Sequence, residues 1–295
     1  MSRLSGVKYL EASGAETSPL WLWGVPYDGT VSHRPGARFG PDEIRAASQG
    51  IESWSPYLKR DLLDLSIYDA GNLDLSFSSP ERAAAEIHDF ARSLFAKGKR
   101  SFVLGGEHSA SPAIIRAAFE RYPDLAVVHF DAHCDLRESY GGTPLSHASA
   151  ARRILDFLHP ERYFAFGMRA GERAEFRFAE GLPHFHPFGV NGVRETLSAA
   201  MAGGRGGAGR AGREGLRPLY VTLDLDVLDP ACFPGTGAPE PMGVSVKELH
   251  EAVLSLDGFD IMGADVMELA PHYDPSHASS AVAAFFAREL LLMME

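Results

Sequence analysis

Short runs rich in β-branched and aromatic residues recur along the chain at 20–25, 65–69, 101–104, 125–130, 162–166, 219–223 and 259–266. Between them the apolar period changes from that of a strand to that of a helix. Ser79-Pro80 reads as an N-cap and first helical residue, and Ala84, Ile87, Phe90 and Leu94 follow at helical spacing until Gly98. Ser245-Val246-Lys247-Glu248 is a capping-box pattern. Segments 112–121, 147–158 and 279–294 carry further helices with apolar faces. Strand and helix alternate throughout, which predicts an α/β fold: a three-layer α/β/α arrangement around a mostly parallel central sheet, in one domain over 1–295. Sites in such sheets lie at the carboxyl ends of strands.

Composition narrows the function classes. With 295 residues and 45% hydrophobic content the chain can bury a large core. Its one low-complexity stretch, at about 202–215, is rich in glycine and arginine and predicts a flexible basic surface loop. A net charge of -11, and the lack of aromatic residues within that loop, argue against a nucleic-acid partner and favour a small cationic substrate. Two cysteines imply no disulfide framework and a reducing compartment. No uncharged apolar run approaches the roughly 20 residues that cross a bilayer, so a soluble cytoplasmic protein with no membrane partner is expected.

The chemistry sits in three segments. Asp131-Ala132-His133-Cys134-Asp135 ends one apolar run, and Leu223-Asp224-Leu225-Asp226 ends another. In extended chain, residues two apart point the same way, so each segment aims its polar groups at one place beyond a strand's end. A third run, Leu104-Gly105-Gly106-Glu107-His108, presents His108 where a strand hands over to a helix. Four carboxylates crowded together repel unless cations neutralise them, and two ions are needed to balance that much charge. Oxygen donors mixed with imidazole suit manganese, iron or zinc. Two neighbouring ions can share and acidify a water, which makes hydrolysis the economical chemistry. Such a site also needs a proton donor and an anion to grip a cation. His147, beyond the turn-rich loop after Asp135, fits the first requirement or simply starts a helix. Glu268, ending the strand 261–267, fits the second or is a solvated acid at a strand end.

Taken together, the segments Gly105 to Ser109, Asp131 to Asp135 and Leu223 to Gly237 resemble the metal signatures of the ureohydrolase family, which includes arginase and agmatinase; the likeness runs from Gly24 to the last helix. The resemblance implies the arginase-like fold and two Mn(2+) ions per subunit, one held by His108, Asp131, Asp135 and Asp224, the other by Asp131, His133, Asp224 and Asp226. It also implies that Asp135 orients the attacking water and takes its proton, that His147 shuttles protons, that Glu268 pairs with the substrate guanidinium, and that the chain forms a homo-oligomer, trimer or hexamer. The segments 24–30, 34–41 and 145–149 look more like agmatinases than arginases, so agmatine is the first expectation. In the loop Leu136-Arg137-Glu138-Ser139-Tyr140, Glu138 could attract a terminal ammonium or Arg137 a carboxylate tail. The second option keeps 4-guanidinobutyrate and related guanidino acids as alternatives, and aminopropylagmatine and arginine hydrolysis are the other related activities weighed. His33 and Met242 depart from the family pattern and bear on the tail alone. Two rivals stand further off. A deacetylase of related fold would need a His-His pair, which the sequence lacks, and a non-catalytic metal-binding scaffold would be expected to have lost ligands, whereas all six are present.

Overall fold

The computed structural model describes residues 7–77, 79–201 and 217–295. The glycine- and arginine-rich loop expected at 202–215 lies outside the described residues. Strands β1 (Leu20–Val25), β2 (Trp54–Ser55), β3 (Arg60–Asp61), β4 (Ile67–Asn72), β5 (Arg100–Gly105), β6 (Ala126–Phe130), β7 (Tyr163–Phe166), β8 (Phe185–His186), β9 (Pro218–Asp224) and β10 (Asp260–Met267) alternate with helices. These are α1 (Gly40–Ser48), α2 (Pro80–Ala96), α3 (Ser111–Arg121), α4 (Ala150–Leu155), α5 (Arg173–Ala179), α6 (Val193–Met201), α7 (Val246–Leu254) and α8 (Ala278–Met293). Eight strands form one sheet in the order β4-β1-β5-β10-β9-β6-β7-β8, and every pairing in it is parallel. The remaining two, β2 and β3, make a small antiparallel pair.

The sheet is parallel because its strands are apolar on both sides. β5, β6 and β7 are buried at every position, and alternate residues feed two cores. Phe102, Leu104, Val128, Phe130, Val221, Leu223 and Val266 pack towards α1, α7 and α8. Val103, Val127, Tyr163 and Tyr220 face α2, α3 and α4. At about 25 cal/mol per Å² of apolar area, each fully buried side chain of this kind contributes roughly 1.5–3 kcal/mol, which makes these central strands the rigid part of the molecule.

Helix ends follow their local chemistry. The Ser79 hydroxyl accepts from the backbone N–H of Arg82 at 3.2 Å, and the Ser245/Glu248 capping box forms as its spacing predicts. Helix α8 is capped from further away. His277 precedes it in left-handed backbone and gives no side-chain cap. The Asp274 carboxylate instead accepts from the backbone N–H groups of Ser279 (2.7 Å) and Ser276 (3.0 Å) and from both serine hydroxyls. Helices α1, α5 and α6 and the edge strand β8 had no counterpart among the sequence-based expectations. Helix α1 begins at Gly40-Pro41 with no side-chain cap, and α5 is only seven residues long, so neither leaves a strong periodic signal.

At one edge of the sheet, Arg45 of α1 is wholly buried and makes two bonds to Asp69 of β4, at 2.8 and 2.9 Å, and a third to Asn72 at 2.7 Å. Removing the carboxylate would leave a buried cation facing only the half-exposed Asp42 carboxylate, 3.9 Å away. Asp69→Ala is expected to lower unfolding free energy by about 3–5 kcal/mol in urea titrations. Asp274 gives a pH-dependent case. Burial works to raise its pKa, but the hydrogen bonds from Ser276 and Ser279 win and bring it to about 2. A carboxyl depressed in the folded state contributes stability above its unfolded pKa and loses it as pH falls through the folded one. Asp274→Ala should therefore cost about 1–2 kcal/mol near neutrality, and melts of the two proteins should converge as the pH drops from about 4 towards about 2.

Candidate metal centre

Four neighbouring strands in the middle of the sheet, β5, β10, β9 and β6, supply the floor of one cavity from their carboxyl ends. His108 follows β5, Asp131, His133 and Asp135 follow β6, Asp224 and Asp226 come from the end of β9, and Glu268 follows β10. Sequence order scatters these segments over 160 residues; the strand order places them side by side. Gly106 lets the layers close up. A Cβ there would stand 2.0 Å from the Tyr27 carbonyl oxygen, and the Gly106 carbonyl accepts from the Glu268 N–H at 2.9 Å.

Asp131 is the centre of the arrangement. Its Oδ2 lies 3.2 Å from His108 Nδ1, and its Oδ1 lies 3.6 Å from His133 Nδ1, so its two oxygens face different histidines. His108 Nδ1 is also 2.9 Å from Asp224 Oδ2, and His133 Nδ1 is 2.9 Å from Asp226 Oδ2. Ligand atoms about 2.1 Å from one ion stand about 3 Å apart at right angles, which is the spacing seen here. Asp131, His133 and Asp226 form one compact ligand group, and Asp131 with His108 and His129 another. In the second group His129 serves as a support. Its Nε2 is 2.9 Å from Asp131 Oδ2 and its Nδ1 is 2.6 Å from the Tyr163 hydroxyl, so both ring nitrogens are engaged.

The electrostatics ask for cations. Burial and the charge of Asp131 push the Asp135 carboxyl well above the usual carboxylate range; burial and the charges of Asp226 and Asp131 do the same to Asp224. Burial also opposes charge on Asp131, but hydrogen bonds from His108, His129 and His133 hold its pKa well down. Burial alone would lower the pKa of His108 and of His133, yet the surrounding acids raise both. Four buried carboxylates beside two imidazoles are a donor set for hard or borderline divalent ions, and such ions remove the repulsion that the bare acids suffer. Asp135 (φ 50°) and Glu268 (φ 64°) are both held in left-handed backbone, a strained state for non-glycine residues that recurs where a side chain must be aimed.

Loops build the walls of the cavity, about 170 Å³ in volume, which is lined by His147, His33, Tyr140, Arg137, Glu268 and Gly237 among others. The Glu268 Oε1 accepts from the His108 N–H at 2.7 Å, and burial together with the charge of Glu107 pushes its pKa up to about 8. His147 is tied through Thr30: its backbone N–H donates to the Thr30 hydroxyl at 3.0 Å, which donates in turn to Glu107 at 2.6 Å. Burial lowers the His147 pKa and keeps the ring neutral. Glu107 and Thr30 carry this support without any motif that would have marked them in the sequence beyond a buried acid beside the glycines. Arg137 lines the cavity but is already shared by Glu172 and Glu175, each 3.4 Å away, and lies over the Tyr140 ring. Glu138 corrects an expectation. Its side chain is 71% exposed, is paired with Arg152 and Arg153, and is not among the residues lining the cavity. In the tight turn after Asp135 its neighbour faces inward, so it faces out.

These features define an α/β/α protein with a cluster of metal-ligand residue types at the carboxyl ends of a parallel sheet. A match to the arginase family model spans residues 18–293, and the chain belongs to that family. It is 42% identical over 280 residues to the agmatinase of Bacillus subtilis, covering 94% of this chain and 92% of that protein. It is also 33% identical to the guanidinopropionase of Pseudomonas aeruginosa, over 99% of this chain and 93% of the relative. Among solved structures, the agmatine ureohydrolase of Thermoplasma volcanium superimposes with a TM-score of 0.85 at 28% identity, over 99% of this chain and 96% of that one. Among the described residues no helix is long and apolar enough to cross a membrane.

If the six groups act together as ligands, Asp226→Ala lowers divalent-metal affinity by more than about 100-fold, beyond the roughly 10–100-fold typical of a supporting residue. Glu138→Ala leaves it unchanged. Calorimetric titration of the metal-free proteins checks both, and equal losses in the two variants would contradict the assignment.

Proposed function

We propose that this protein hydrolyses the guanidinium group of agmatine, releasing urea and putrescine, with two Mn(2+) ions held by His108, Asp131, His133, Asp135, Asp224 and Asp226. The observation that carries the reading is the disposition of Asp131, one oxygen towards each of His108 and His133, which themselves line the cavity together with Glu268. When bound, the ions would polarise the guanidinium and make an acidified water available as nucleophile.

The chain's own groups do the rest. Glu268, its pKa pushed up to about 8 by burial and the charge of Glu107, is drawn back to its charged form when a guanidinium cation enters, and the backbone N–H of His108 fixes its orientation. This favours the substrate's charged end at the floor. Asp135 lies against the charge of Asp131 and is poised to take a proton. His147, its pKa lowered by burial, lines the cavity with Nδ1 beside the Thr30 hydroxyl at 3.3 Å; because that hydroxyl gives its proton to Glu107, Nδ1 donates to it and Nε2 is left bare, to take up a proton and then pass it to the departing amine.

The choice of agmatine over a guanidino acid rests on Arg137. A carboxylate tail needs an available cation, and Arg137 is engaged by two glutamates. The identity to the Bacillus subtilis agmatinase supports the same choice. A cytoplasmic homo-oligomer, trimer or hexamer, working as one catalytic domain per chain, goes with this reading.

A urea-release assay across agmatine, arginine, 4-guanidinobutyrate and aminopropylagmatine should give agmatine the highest kcat/KM by about 100-fold, or about 2.7 kcal/mol; turnover of the carboxylated compounds alone would overturn the substrate assignment. Asp131→Ala should abolish urea release. Thr30→Val, which unties His147, should lower kcat by about 10-fold with metal content unchanged, against roughly 10²–10⁴-fold for His147→Ala. Stopped-point urea assays alongside metal analysis separate these outcomes.

A further inference from the structure

We propose that Asp265, acting through Thr222, fixes which ring nitrogen of His108 is offered to the metal, so that the two are positioning residues for the centre. The inference rests on the metal reading above but not on the identity of the substrate. His108 Nδ1 faces Asp131 and Asp224, while its Nε2 lies 2.8 Å from the Thr222 hydroxyl. That hydroxyl lies 2.7 Å from Asp265 Oδ1, and the Tyr220 hydroxyl lies 2.8 Å from Asp265 Oδ2.

Proton counting sets the direction of this chain. A carboxylate only accepts, and a threonine hydroxyl has a single proton to give. Asp265 takes that proton, so Thr222 can meet His108 only with a lone pair. Nε2 must then carry the ring proton, and Nδ1 is left bare towards the two acids. The opposite tautomer would set two lone pairs against each other at 2.8 Å and point an N–H where a cation belongs.

The sheet builds the relay on purpose-fitted geometry. Thr222 and Asp265 are paired neighbours on β9 and β10, so their side chains share a face, and Tyr220 lies two residues earlier on that face. All three are fully buried. Gly263 is paired with Tyr220, and a Cβ there would stand 2.5 Å from the tyrosine ring, so the glycine makes room for the ring to reach Asp265. A hydroxyl and a carboxylate in the middle of a parallel sheet are costly unless mutually satisfied, and they do nothing for packing that valine or leucine would not do better.

The test reads the tautomer directly. In protein loaded with diamagnetic Zn(2+), where a cation rather than a proton meets the two acids, ¹⁵N shifts of His108 should show Nε2 protonated and Nδ1 ligating. Thr222→Val should give mixed tautomers and a Mn(2+) affinity lower by about 10–100-fold, and Thr222→Ser should restore both. A wild-type ring carrying its proton on Nδ1, alone or with Nε2, overturns the proposal, and so does a Thr222→Val protein that keeps the wild-type tautomer and affinity. The wild-type spectrum decides the matter even if the valine variant does not fold, and failure of agmatine turnover would leave that spectrum untouched.

Discussion

Like charges buried side by side set the terms for everything else in this molecule. Asp131, Asp135, Asp224 and Asp226 are each less than a tenth exposed, and two of them are pushed away from their ionised form by burial and by their neighbours. A chain would shed such a cluster unless something bound there repaid the strain. The fold holds it by anchoring every acid to an element that cannot move independently: the ends of β6 and β9 are hydrogen-bonded to one another and covered on both faces by core. Repulsion that a flexible loop would relax by spreading is thereby retained, and retained repulsion is affinity for a cation.

Holding the acids is only half of the arrangement, because each partner must also present the correct lone pair. The supports of the centre are donors and acceptors in fixed order. The Ala132 N–H donates to Asp226 at 3.1 Å, the Asp226 N–H to Asp224 at 2.9 Å and the His133 N–H to Asp131 at 2.6 Å. Each backbone donor takes up one carboxylate lone pair and leaves the remaining ones for a cation. The pattern extends behind the ligands, where His129, Thr222 and Asp265 lie in one row across three strands. Polar groups in the interior of a doubly covered sheet are rare for good energetic reasons, and here they form a second tier beneath the first.

The sequence made the floor legible and left this second tier hidden. Asp-x-His-x-Asp and Asp-x-Asp advertise themselves because a period of two on a strand end has few other uses, and apolar runs such as 20–25 marked β1 to the residue. Thr222 and Asp265 each interrupt an apolar strand with one polar residue, which was a usable sign, but their pairing depends on β9 lying beside β10, an adjacency that strand order alone reveals. Glu138 illustrates the opposite failure. An acid three residues past a ligand invites a functional role, yet the left-handed backbone at Asp135 redirects the chain, and a side chain's direction after such a residue is not readable from spacing.

Floor and walls therefore obey different constraints. The floor is built from strand ends locked by ladder hydrogen bonds, so any exchange of residue there disturbs the charge balance of the whole cluster. The walls come from segments around 30–35, 136–147 and 237–242, which lie on loops and tolerate variation. Charge beside the cavity comes from Arg137 with Glu172 and Glu175, a net excess of one negative group if all three are ionised, and from Glu240, 3.7 Å from His133 Nε2. A relative at 33% identity carries the name guanidinopropionase and another at 42% the name agmatinase, a spread that such a division permits. Reaction type is fixed by groups whose repulsion couples them together, whereas substrate length and terminal charge are set by groups that can change one at a time.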